Sequence, residues 1–162
     1  MRENLQIGFI AGAIGSVVLT LSNWITNKLK LTKINLITVA TDFILGKALL
    51  KRKGAVNYIV GTIANFLIGG IFGSLLALLM GDYNSAEQEK NLKQKTINDL
   101  AAGFVFGLII WMFTASLGNR RAPTIQGPVK AKSALWLFGI HSLYGITTSF
   151  LIRKIQSKLE PA

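Results

Sequence analysis

The 162-residue chain contains no cysteine, three prolines and a single histidine. Without cysteine there is no disulfide, no thiolate nucleophile and no cysteine-ligated metal. Charge is scarce too: 15% of residues are Asp, Glu, Lys or Arg, against about 25% in soluble domains. Acidic residues are the scarcest, seven against eighteen basic ones, which leaves a net charge of +11. Such an excess ordinarily raises nucleic acid as a partner. A chain that is 51% hydrophobic, with a mean hydropathy of +0.46, does not suit a nucleic-acid domain. A bilayer with anionic headgroups accommodates both the apolar content and the basic excess.

A helix crossing the hydrocarbon core needs roughly 20 predominantly apolar residues, and four stretches qualify: about 5–27, 56–80, 97–117 and 134–152. The first has no charge between Glu3 and Lys28, and the second none from Gly54 to Gly81. The expected fold is all-α: a polytopic transmembrane bundle of four spanning helices, forming one domain over residues 1–162. Lysines follow the first stretch where a small-residue cleavage site would be needed, so it is expected to remain as a span and not to be removed as a signal peptide.

Segment 34–50 is apolar but contains Asp42 and Lys47. At about 100° per residue, Asn35, Thr38, Thr41, Asp42 and Gly46 share one arc, with Leu36, Ile37, Phe43 and Ile44 opposite. Basic residues flank both ends, and basic loops favour one side of the membrane, so an amphipathic helix lying in the interface is expected. A re-entrant or spanning segment is the alternative. With four spans, one face collects Lys28, Lys30, Lys33, Lys47, Lys51, Arg52, Lys53, Arg120, Arg121, Lys130 and Lys132, eleven in all. The other face, with both termini, collects seven. The positive-inside rule then places the basic loops 28–55 and 118–132 in the cytoplasm and the termini outside a plasma membrane.

Lipid supplies no hydrophobic drive between helices, so small residues must let backbones approach. Gly8/Gly12, Gly69/Gly73 and Gly103/Gly107 each form a GxxxG pair, and Gly139, Ser142, Gly145 and Ser149 form a fourth small stripe. The halves, Leu5–Met80 and Ile97–Ile152, each repeat a GxxxG helix, a basic connector and a second helix. The middle connector reads as a solvated loop with a helical turn capped by Ser85, and the third, with Pro123 and Pro128, as extended chain.

His141 falls inside the fourth span, where an ionisable side chain is expensive and marks a candidate functional site. Its bland alternative is a neutral ring hydrogen-bonded to Asn65, Thr62 or backbone. Asp42 is the second candidate ion-pathway group. Asp99, in the first turn of the third span at headgroup level, is explained by the helix dipole, although it joins His141, Asp42 and Asn65 among the candidate ion-pathway groups. Trp24, Tyr58 and Trp136 read as interfacial anchors. The cationic set Lys28, Lys30, Lys33, Lys51, Arg52 and Lys53 suits anionic lipid headgroups. No catalytic motif, metal-ligand set or cofactor-binding loop is present.

The opening Gly8-Phe9-Ile10-Ala11-Gly12, the run Trp111-Met112-Phe113 and the closing His141-Ser142-Leu143-Tyr144-Gly145 resemble a class of small four-span membrane proteins of Gram-positive bacteria whose function is unknown. The resemblance implies a plasma-membrane bundle and carries no activity or site. The expected function is non-enzymatic: glycine-mediated helix association as a homo-oligomer or a subunit of a membrane complex. Two alternatives stand beside it, a small-solute or ion transporter using His141 and Asp42, and a protein that binds anionic lipid.

Overall fold

The computed structural model describes residues 2–45, 55–81, 92–121 and 129–159. They form five helices: α1 (Arg2–Lys28), α2 (Leu36–Leu45), α3 (Ala55–Met80), α4 (Leu92–Arg121) and α5 (Ala131–Leu159). These residues are 92% helical with no strand, and α1, α3, α4 and α5 each hold a stretch long and apolar enough to cross a membrane. Helices satisfy their backbone groups internally, as a lipid solvent demands. The distribution of side chains fits that solvent. Ile10, Leu21, Ile59, Ile71, Ile109, Phe113 and Phe150 are exposed, while Ser16, Thr148 and Ser149 are buried. Of the middle and third connectors, residues 82–91 and 122–128, with the turn expected at Ser85, lie outside the described residues; 92–96 and 117–121, expected as loop and extended chain, are instead the two ends of α4.

Two glycine seams organise the bundle. Gly8 and Gly12 of α1 meet Gly69 and Gly73 of α3, backbone against backbone. Gly103 and Gly107 of α4 meet Gly145 and the backbone of His141 and Ser142 on α5. Gly15 then joins the two pairs, because its missing side chain makes room for Tyr144 and Thr148 of α5. All three GxxxG motifs are thereby occupied within one chain. Gly139 does not belong with them: it points to open space, on the face of α5 away from the seam.

At ten residues, α2 is about 15 Å long, half the hydrocarbon thickness, so its described part does not span. Ile37 and Thr41 pack on Gly61, and the Thr41 hydroxyl donates to the carbonyl of Asn57 at 2.9 Å. That register runs α2 antiparallel to α3, with Leu36 as its deepest residue. The expected outward polar arc is not observed. Thr41 and Asp42 are buried against the protein and Ile44 is exposed, because α2 packs its small and hydroxyl-bearing side on α3. Its entry is held by asparagines. Asn35 caps the helix, accepting from the amide of Ile37 at 3.0 Å. Asn23 accepts from the Leu36 amide at 2.9 Å and donates to the Ile34 carbonyl at 3.0 Å. Asn23→Leu should therefore leave the partly buried Leu36 amide without this partner, at about 1–3 kcal/mol, while the Ile34 carbonyl keeps its bond from Asn27. The check is a thermal melt in detergent, with Asn27→Leu, which removes one shared bond to Ile34, as the milder comparison.

Candidate functional site

At one end of the bundle the spans are tied together by a polar network. Arg153 of α5 grips Asp99 of α4 with two bonds, Nε to Oδ2 at 2.8 Å and Nη2 to Oδ1 at 3.0 Å. The same guanidinium donates to the Met80 carbonyl at 2.8 Å and the Gly81 carbonyl at 3.2 Å. These are unpaired carbonyls at the C-terminus of α3, where Gly81 ends the helix with a φ of 69°. Gln156 extends the network to Asn4 of α1 at 3.1 Å. Asp99 thus lies in the second turn of a helix that starts at Leu92, and its partner is an arginine and not the helix dipole. That pairing removes it from any site shared with His141.

Toward the other end, two adjoining cavities open between α2 and helices α4 and α5. The inner one, about 100 Å³, lies between Ser16, Asn65, Gly69, Phe72, His141 and Tyr144. The outer one, about 330 Å³, is bounded by Ile34, Trp111, Ala115, Val129, Ala134 and His141. Leu36, Val39, Thr114 and His141 belong to both, so His141 stands on their common wall. Mostly apolar walls with a few placed polar groups are the usual character of a small-molecule site.

His141 is buried about three turns into α5. Its Nδ1 lies 2.7 Å from the Leu137 carbonyl oxygen. A carbonyl only accepts, so in the neutral ring Nδ1 carries the proton and Nε2 presents a lone pair. Among the described residues Nε2 meets no protein donor. The expected partners are used elsewhere: Asn65 donates to the Thr20 hydroxyl at 2.9 Å, and Thr62 to the Tyr58 carbonyl at 2.8 Å. Beside His141, Tyr144 crosses the bundle and donates to the Gly69 carbonyl at 2.6 Å.

Of the other candidate residues, Asn65 shares the inner cavity with His141, whereas Asp42 is buried, already engaged, and absent from both cavity walls. Lys28, Lys30 and Lys33 are exposed at the α1–α2 turn, with Lys28 Nζ 4.5 Å from the Trp24 ring. Lys51, Arg52 and Lys53 lie outside the described residues. No group of three metal-binding side chains occurs among the described residues. Sequence reasoning missed Tyr144 and the Arg153 network. The tyrosine's signal was its place one turn from His141 on the small-residue stripe, and the arginine's was its position flanking the last span. Searches against protein-family models, curated proteins and solved structures return no match.

Proposed function

We propose that this integral membrane protein is a non-enzymatic binding protein that holds a small, largely apolar molecule with one hydrogen-bond donor against His141. The observation that carries the proposal is the imidazole on the common wall of two apolar cavities, with Nε2 free of protein donors among the described residues. An acceptor left unmet in an apolar site costs about 1–3 kcal/mol, which an incoming O–H or N–H would recover. Association between copies through glycine faces has less to support it, since the GxxxG surfaces are occupied inside the chain. Ion transport through Asp42 and His141 has less as well, because the two residues do not line a common cavity.

The test uses Trp111, which borders the outer cavity, as sole tryptophan in a Trp24→Phe/Trp136→Phe background reconstituted in vesicles. The probes are 4-bromophenol, a donor and a quencher, and 4-bromoanisole, which lacks the donor. Saturable quenching by the phenol, about tenfold tighter than by the ether and lost to that extent in His141→Phe, is expected; tenfold corresponds to roughly 1.4 kcal/mol. Purely linear quenching by both, or an unchanged midpoint in His141→Phe, would refute the proposal.

A further inference from the structure

Charge around the outer cavity narrows the class of occupant. Val129 and Ile34, on its border, are the immediate chain neighbours of Lys130 and Lys33, both exposed. Lys28, Lys30 and Lys132 are exposed at the same end. The only acidic residue in the two segments 28–55 and 118–132 is Asp42, which is buried away from the cavity walls. At the opposite end, by contrast, Glu3 accompanies the basic residues and Asp99 is neutralised by Arg153. An apolar cleft in the membrane with an unopposed cationic rim is complementary to a molecule with an apolar body and an anionic head.

Building on the cavity proposed above, we infer that its occupant is an anionic amphiphile drawn from the bilayer. Its headgroup lies between Lys33 and Lys130, and its apolar chain runs through the outer cavity to place the donor proposed above against His141. Along α5, Lys130 and His141 are eleven residues apart, about 16 Å. A molecule that meets both must be extended over that distance. Each lysine near a membrane surface contributes about 1 kcal/mol toward an anionic headgroup, and that contribution falls with ionic strength. Aromatic and branched walls at Trp111, Val39 and Leu137 line the path of the chain.

The experiment uses the full chain in zwitterionic phosphatidylcholine vesicles, again with Trp111 as sole tryptophan. The probes are 11-bromoundecanoate and 11-bromoundecanol, equal in length and differing in head charge. Saturable quenching is expected at an about tenfold lower concentration of the carboxylate. The preference should shrink in salt of roughly three times physiological ionic strength and vanish in Lys33→Gln/Lys130→Gln. Both lysines are exposed, so the variant keeps its fold, verified by an unchanged thermal melt. Equal midpoints for the two probes, or a preference that survives the double substitution, overturn the inference. If 4-bromophenol saturates while neither long-chain probe does, the cavity stands and the amphiphile is excluded. If none of the three saturates, both fail.

Discussion

Replacing Gly12 with isoleucine is expected to unfold the bundle, not to dissociate an oligomer. A Cβ at this position would meet the Gly69 carbonyl and come within 2.8 Å of the Gly73 Cα. Both neighbours are backbone atoms of another helix, and neither can rotate aside. Ordinary overpacking costs about 1–3 kcal/mol because side chains adjust; here the helices themselves must part. Separation also removes hydrogen bonds that cross the seam, Ser74 to the Leu5 carbonyl at 2.8 Å and Asn65 to Thr20 at 2.9 Å. A loss above roughly 3 kcal/mol follows, beyond that ordinary overpacking range. Gly139→Ile is the control, since nothing lies within 4 Å of a side chain there. It should be neutral, and Gly139→Ala should gain up to about 1 kcal/mol from helix propensity. Thermal melts by circular dichroism, run beside size-exclusion chromatography in detergent, separate the cases. A Gly12→Ile protein that keeps its melting temperature but changes mass would place the seam between copies instead.

The same glycines show what the sequence could and could not convey. Their four-residue spacing announces a close helix contact, because lipid rewards small faces that stack. It does not name the opposing helix, and the structure pairs α1 with α3 and α4 with α5. The spans were legible for a related reason, since apolar length is dictated by bilayer thickness. Apolar length does not mark helix ends. The helix carrying Asp99 starts at Leu92, in polar sequence, five residues before the apolar stretch begins. That displacement turned a dipole-stabilised carboxylate into one half of an ion pair. For α2, angular periodicity identified a two-sided helix but not which side faces the protein. Thr41 turns inward because Gly61 leaves a notch for it and the Asn57 carbonyl accepts its hydroxyl. His141 was marked by its rarity at membrane depth, but the cavities beside it depend on how α2 sits against α4 and α5, which no local pattern encodes.

Arg153→Leu should be the most damaging single change away from the glycine seams. Arg153 and Asp99 are about seven-eighths buried, at 13% and 14% side-chain exposure, so solvent does not replace the lost partner. Breaking a buried pair from one side costs about 3–5 kcal/mol because the remaining charge is stranded. The leucine also abandons the Met80 and Gly81 carbonyls at the end of α3. Arg153→Lys restores one charge but not the planar fork that reaches a carboxylate and two carbonyls together, so it should recover only part of the loss. Asp99→Leu combined with Arg153→Leu separates the two contributions. Were the ion pair the whole of it, an apolar pair would be nearly neutral. Because the Met80 carbonyl stays orphaned, while the Gly81 carbonyl keeps its bond from Gln156 at 3.2 Å, the double variant should remain destabilised by about 1–3 kcal/mol. An Arg153→Leu melt within about 1 kcal/mol of the parent would instead reduce the network to a solvated surface pair.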